Sequence, residues 1–234
     1  MHMKRFSPLL IVSLALSLCS LAHSQIVAWD TSGRAGDEAS FTATTLNGNL
    51  ATSALTRGAG ISASGLANSF NSNSFDSANL GDAVTASEYI TFTVTPSSGY
   101  QVSLSTLDVS FRRSGTGPNA FQWAYSLDAF ATAGVNIGSE ISYTSTTTNG
   151  TDQSQIDLSA ISALQSITAA ATFRLYAYGA SGSGGSFAIG RASTDLAIGG
   201  SLTAVPEPST YAAIFGLITL AGVVVIRRRQ KLSS

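Results

Sequence analysis

Residues 88–115 read EYITFTVTPSSGYQVSLSTLDVSFRRSG, and this stretch decides the fold class. In its first half, apolar residues alternate with polar ones, so that Ile90, Phe92 and Val94 fall on one face. Residues 96–99, PSSG, are typical of a turn, and the alternation resumes beyond them. A period of two predicts β-strands with one face against a core. We therefore expect two strands joined by a short turn.

The second of these strands changes phase part-way along. Val102 and Leu104 occupy even positions, whereas the apolar residues from Leu107 to Phe111 occupy odd ones. An extra residue in one strand of an antiparallel pair produces such a shift. We predict a bulge or bend near Ser105.

The same alternation recurs between residues 25 and 204. Residues 120–128 place Phe121, Trp123, Tyr125 and Leu127 on one side. Residues 171–179 place Phe173, Leu175 and Ala177 against Thr172, Arg174, Tyr176 and Tyr178. Shorter candidates lie around Ile26, Ile141, Ile156, Phe187 and Leu196. About nine strands bounded by turns predict an all-β fold, an antiparallel β-sandwich or jelly roll.

Two regions do not follow this pattern. Residues 40–79 are dominated by Ser, Asn, Ala, Thr and Gly, so any strands there should be short or absent. In residues 161–167 the apolar side chains are spaced by three, which predicts one helical turn between the sheets. Trp29 and Trp123 are expected in or near the core.

The amino terminus has the order of parts of a secretory signal peptide. Lys4 and Arg5 precede an apolar stretch over residues 9–21 and a small-x-small site at residues 22–24. We expect residues 1–24 to be removed. The alternative is a lipoprotein signal that uses Cys19, but Leu18 precedes that cysteine where a small side chain is usual.

Removal of residues 1–24 would leave the exported part without cysteine or histidine, and no lysine occurs between Lys4 and Lys231. Disulfides, Cys/His zinc sites, Ser-His or Cys-His nucleophile pairs and Schiff-base lysines are therefore excluded from that part. We expect no enzymatic activity. The remaining catalytic alternative is a carboxylate-dependent glycosidase, with Glu38, Glu88, Glu140 and the aspartates as the pool.

The charge of residues 25–204 limits the class of binding partner, and their length indicates the number of domains. Residues 25–204 carry six arginines against twelve acidic residues, a net charge of −6. Nucleic acid is not an expected partner, because phosphate recognition needs a basic surface. A segment of this length suffices for one domain with a sizeable core.

Two kinds of ligand site are open from the residues alone. Arg174, Tyr176 and Tyr178 share a strand face and form a candidate saccharide contact, since aromatic rings beside a polar head stack on sugars. The alternative is that this face is covered or lies inside the core. Asn149, Asp152 and Asp157 offer oxygen ligands for Ca²⁺, but without the spacing of a recognised calcium loop.

The carboxyl end, residues 205–234, differs from everything upstream. Pro206, Glu207 and Pro208 precede sixteen uncharged residues from Tyr211 to Ile226, a helix of roughly 24 Å that just spans a membrane with its neighbours. Arg227, Arg228 and Arg229 would keep the end cytoplasmic and the preceding domain outside.

This order of Pro-Glu-Pro, apolar span and arginine cluster resembles the PEP-CTERM sorting signal of exopolysaccharide-producing Gram-negative bacteria. The resemblance implies recognition by exosortase, a membrane-embedded enzyme of the cysteine transpeptidase type, after anchoring in the inner membrane. We therefore expect a structural or adhesive protein of the cell surface or exopolysaccharide matrix. The alternative, a carbohydrate-binding module, rests on Tyr176 and Tyr178. The alternative for the tail is a plain single-span anchor after a proline-rich linker.

Overall fold

The computed structural model describes residues 24–192 and 195–206. Within these ranges the strands are β1 Ser24–Trp29, β2 Phe41–Thr42, β3 Thr45–Leu46, β4 Ala54–Arg57, β5 Ser62–Ala63, β6 Ser69–Asn73, β7 Tyr89–Val94, β8 Tyr100–Arg113, β9 Ala120–Ser126, β10 Val135–Ser142, β11 Thr151–Asp152, β12 Ile156–Asp157, β13 Ala171–Tyr178, β14 Phe187–Gly190 and β15 Leu196–Ala204. Helix α1 spans Leu80–Ala86, and a 3₁₀ turn spans Ser162–Leu164.

The strands form two sheets, and all of their pairings are antiparallel. A nine-stranded sheet follows the order β3-β1-β15-β8-β14-β6-β5, with β11 and β12 also paired to β8. A six-stranded sheet follows the order β10-β9-β13-β7-β4-β2. The all-β prediction with antiparallel sheets is confirmed.

Aromatic contacts join the inner faces of the two sheets. Trp29 of β1 lies 4.9 Å from Phe92 of β7, measured between ring centroids, and Phe111 of β8 lies 4.8 Å from Phe121 of β9. Trp29 and Trp123 are each 1% exposed, so both belong to the core as predicted. These rings and the aliphatic residues around them form one continuous hydrophobic cluster.

The predicted irregularity in β8 is a bulge at Ser105. Gly199 of β15 pairs with Thr106, whereas Gly200 pairs with Leu104, so Ser105 is the extra residue. Val102, Leu104, Leu107, Val109 and Phe111 can therefore all face the core, and all are buried. The change of phase in the sequence has this shift as its physical cause.

Three local expectations have different outcomes. The strands within residues 40–79 are short, as predicted, and the helical turn predicted at 161–167 is the 3₁₀ turn at Ser162–Leu164. The placement of Leu127 on one strand face with Phe121, Trp123 and Tyr125 was wrong, because β9 ends at Ser126 and Leu127 is 46% exposed. Helix α1 was not predicted.

Several predictions lie outside the described residues. They are the signal peptide apart from its last residue, the membrane helix at 211–226, the arginine cluster, Glu207 and Pro208. Among the residues that the structure describes, no helix is long and apolar enough to cross a membrane.

Candidate functional site

The predicted saccharide-contact residues lie on the outer face of the six-stranded sheet. Arg174, Tyr176 and Tyr178 belong to β13, whose backbone is paired with β7 on one side and β9 on the other. Tyr176 is 3% exposed and Tyr178 is 4% exposed. The covered-face alternative therefore describes the two tyrosines, which do not form an open stacking surface.

Helix α1 covers the tyrosines. Its Ala83 is fully buried in a small cluster with both rings. The Asn79 side chain accepts a hydrogen bond of 3.1 Å from the backbone N of Asp82, and its amide donates to the Asp82 carboxylate at 2.7 Å. This arrangement satisfies the first turn of the helix. Asn79 followed by Asp82 was the sequence signal that could have predicted α1.

Tyr178 is also held by a carboxylate. Its hydroxyl donates a hydrogen bond of 2.5 Å to Glu140 Oε2. Burial, together with this hydrogen bond, raises the pKa of Tyr178 well above its usual value. Tyr178 and Glu140 therefore satisfy each other and leave little polar capacity for a ligand.

Arg174 is the residue of this face that keeps polar atoms available. Its guanidinium carbon Cζ lies 4.0 Å from the ring centroid of Tyr89 and 4.0 Å from that of Phe130, so the group is stacked between two rings. Its Nη1 donates to Tyr176 Oη at 3.3 Å, whereas its Nε is buried without a partner. No carboxylate of the described ranges pairs with it.

The loop between β9 and β10, residues 127–134, holds Phe130 over Arg174. Ala129 and Phe130 have left-handed backbone conformations, with φ of 57° and 63°. Such conformations are uncommon for residues other than glycine and often occur where a side chain must be aimed. Ser126 Oγ stabilises the loop by accepting a hydrogen bond of 2.9 Å from the backbone N of Phe130.

Asp128 closes the same loop. Its carboxylate accepts hydrogen bonds from Ser126 Oγ and from the backbone N and Oγ1 of Thr132, the last two at 3.1 and 2.6 Å. These bonds lower the pKa of Asp128 to about 2. At Gly134, a Cβ would lie 2.2 Å from Phe130 Cε1, so glycine is what leaves room for the ring.

A cavity of about 430 Å³ opens beside Arg174. Ala124 of β9 and the small residues of the 127–134 loop line it, together with Val84 of α1, Thr132 and Asn136. Its volume lies within the range of small-molecule sites, and it combines apolar walls with a few polar groups. Sequence reasoning identified Arg174 but missed Phe130 and Asn136, which no motif marks.

The three glutamates do not converge on one cleft. Although burial works against it, hydrogen bonds from the backbone N atoms of Ala35 and Gly36 help to lower the pKa of Glu38. Glu88 is 1% exposed, and burial raises its pKa. Glu140 accepts from the buried Tyr178 hydroxyl. Each glutamate therefore has a separate local role in the fold.

Of the candidate calcium residues, Asn149 lies in the loop before β11 and is exposed, and the two aspartates lie on the other sheet. Asp152 and Asp157 are in β11 and β12, both of which pair with β8. Asp157 lines a depression of about 730 Å³, where Gln155 donates to Asp108 and Ser159 donates to Asp157. Within residues 24–192 and 195–206, no group of three or more His, Cys, Asp or Glu side chains could hold a metal ion.

The sorting segment begins where the fold ends. Ala204 at the end of β15 pairs with Tyr100, and the backbone N of Val205 donates to Gly99 O at 2.8 Å. Pro206 follows at once and is exposed. The segment therefore leaves the sheet without a linker.

One comparison with known proteins identifies this segment. A family model described as the PEP-CTERM protein-sorting motif matches residues 204–229, which include Pro206, Glu207 and Pro208 and the three arginines. The resemblance seen in the sequence is confirmed. No curated protein matches the chain.

Proposed function

We propose that this protein is a structural or adhesive component of the cell surface or of an exopolysaccharide matrix. The PEP-CTERM motif at residues 204–229 is the observation that carries the proposal, since it indicates an exosortase-sorted protein. In this proposal exosortase recognises Pro206, Glu207 and Pro208 after the chain has been anchored in the inner membrane. Arg227, Arg228 and Arg229 fix the orientation, because arginines next to an apolar span stay cytoplasmic.

The exit of the chain from the fold supports processing close to the folded domain. Five residues, 206–210, separate the end of the hydrogen-bonded chain from the apolar run that begins at Tyr211. Fully extended, five residues reach at most about 18 Å. Exosortase would therefore work next to the end of the sandwich that carries Gly99 and Tyr100.

The test is the mass and location of the protein in its native host. In a Glu207→Ala variant the chain should keep its full length and stay in the inner membrane, whereas the natural chain should lose its tail. Gln230→Ala, a truncation of the same size just outside residues 204–229, is the matched control and should be processed normally. If both the natural chain and Glu207→Ala remain intact and membrane-bound, the tail is a plain anchor and the proposal is wrong.

Saccharide binding is a second candidate function, and the cavity beside Arg174 favours it. An arginine with unused donors, an aromatic ring and an amide around a cavity of this size suit a small polar ligand with a ring. We propose binding without catalysis, because the glutamates considered for a glycosidase are engaged separately in the fold. Release of new reducing ends from a bound polysaccharide would contradict that proposal.

A further inference from the structure

The guanidinium of Arg174 has more donors than partners. An arginine side chain carries five N–H donors, and within the described residues the side chain of Arg174 makes one hydrogen bond, the 3.3 Å contact to Tyr176 Oη. Its Nε is buried and unpartnered. Nε lies out of reach of a ligand, so the donors that a ligand acceptor could use are those on Nη1 and Nη2.

The two stacked rings determine how a ligand can approach. The ring centroids of Tyr89 and Phe130 each lie 4.0 Å from Cζ. Because Nε is buried and Nη1 already donates to Tyr176 Oη, a ligand would meet the edge that carries Nη1 and Nη2. That edge matches the two oxygens of a carboxylate, which arginine binds with parallel hydrogen bonds.

The cavity selects a compact ring over an extended peptide. A peptide that binds by strand addition needs an unpaired strand edge. The strands β9 and β13 below the cavity are each paired on both sides, so a peptide could add only at β10, the edge strand that carries Asn136. Ala124 and Gly134 are small lining residues that leave space for a ligand ring, and the Phe130 ring offers an apolar contact. Asn136 and Thr132 also line the cavity, and the Thr132 hydroxyl, which donates to Asp128, is left to accept a hydrogen bond there.

We propose that this cavity binds an acidic sugar, with the edge of Arg174 on the ring carboxylate. The proposal rests on the saccharide-binding function above and names its ligand class. The 127–134 loop is the specificity element, because its left-handed residues and Gly134 place the Phe130 ring against the guanidinium of Arg174.

The test measures binding of three probes to the full chain by calorimetry, in a polyoxyethylene detergent that carries no sugar. The probes are an oligogalacturonate, the same oligosaccharide with its carboxylates methyl-esterified, and a short oligoglutamate peptide. Arg174→Gln removes the charge, and Arg174→Lys keeps the charge without the planar edge. Arg34→Gln is the matched control, since Arg34 is an exposed arginine that also contacts a ring, that of Phe41.

We expect the oligogalacturonate to bind the natural chain, and the ester to bind at least about tenfold more weakly. Arg174→Gln should lose about as much affinity as the ester, Arg174→Lys should lose part of it, and Arg34→Gln should lose none. Retained near-ultraviolet circular dichroism would show that the variants are folded.

Each other outcome has its own meaning. Equal binding of the acid and its ester would overturn carboxylate recognition and leave saccharide binding in place. Binding of neither sugar would overturn both. Tighter binding of oligoglutamate than of oligogalacturonate, lost in Arg174→Gln, would show that the cavity takes acidic peptides and would overturn the sugar.

Discussion

Arg113 and Arg174 are both partly or fully buried arginines, and they show two different uses of a guanidinium. Arg113, at the end of β8, is 7% exposed and donates to the carbonyl oxygens of Pro118, Thr144, Gly115 and Gly117. Arg174 is stacked between rings and makes one hydrogen bond beside a cavity. The number of unmet donors, more than burial, separates a structural arginine from one that can serve a ligand.

The largest effect should follow from removing the first arginine. Arg113→Gln leaves most of the four carbonyl oxygens without a donor. Each buried acceptor left unmet costs about 1–3 kcal/mol of unfolding free energy, so the total loss should be about 3 kcal/mol or more. Trp29 and Trp123 are buried, so their fluorescence should report urea unfolding of the full chain in detergent.

Arg174→Gln is the matched comparison for this measurement. It should cost about 1–2 kcal/mol of unfolding free energy, because two ring contacts and one long hydrogen bond are lost. Similar losses in the two variants would remove the distinction between the two arginines.

The cover over Tyr176 next to Arg174 depends on the amino-terminal cap of α1. Asn79→Ala should cost about 1 kcal/mol, since a capping side chain is lost from a short helix. Asn149→Ala is the control, because the Asn149 side chain is exposed and makes no hydrogen bond within the described residues. The difference is measured by the same urea unfolding. Equal stability of both variants would show that tertiary packing alone holds α1.

The two sheets could be predicted from the sequence, whereas helix α1, which covers Tyr176 and Tyr178, could not, for a physical reason. The sequence of β7 and β8 shows the alternation of apolar and polar residues, and even the bulge at Ser105, because every second side chain faces the same core. Helix α1 has only seven residues, which is too short for a helical period to show in the sequence. Its sequence signals are the capping residue Asn79 and the small buried residue Ala83.

The candidate site was predictable only in part. Arg174 and the tyrosines were found because they share a strand face. The sequence did not predict that Tyr176 is buried while Arg174 borders a cavity. Burial of Tyr176 depends on α1, and the stacking of Arg174 depends on the 127–134 loop. Phe130 owes its position to a left-handed backbone and to space at Gly134, which are tertiary properties.

Glu88 extends the comparison to a buried acid. Its two oxygens accept from the backbone N atoms of Asp76 and Ser77, at 3.0 and 3.3 Å, and burial and the Asp76 carboxyl raise its pKa. A raised folded-state pKa favours folding below the unfolded value of about 4.3, and this contribution is lost as pH rises through the folded pKa.

A Glu88→Gln variant tests this sign. The amide cannot titrate and satisfies only one of the two backbone donors. The variant should therefore be destabilised most at low pH, and the gap to the natural chain should narrow as pH rises above about 4.3. Asp37→Asn is the control for general charge effects, because Asp37 is exposed and its side chain makes no hydrogen bond within the described residues. Unfolding free energies measured from pH 4 to 8 that show a constant gap would contradict the assignment.

The smallest effect on stability should come from the change that bears most closely on the Arg174 cavity. In Gly134→Ala the new methyl group would lie 2.2 Å from Phe130 Cε1. The Phe130 side chain can rotate, whereas the methyl group is fixed to the backbone, so the ring must turn away. Stability should change by less than about 1 kcal/mol, since the loop is on the surface. Gly184→Ala is the control, because a Cβ there meets nothing within 4 Å.

Oligogalacturonate affinity should fall several-fold in Gly134→Ala and not in Gly184→Ala, because the guanidinium of Arg174 loses its contact with the Phe130 ring. Unchanged affinity in both would mean that the edge of Arg174 needs no support from Phe130, and that the strained loop serves the fold alone.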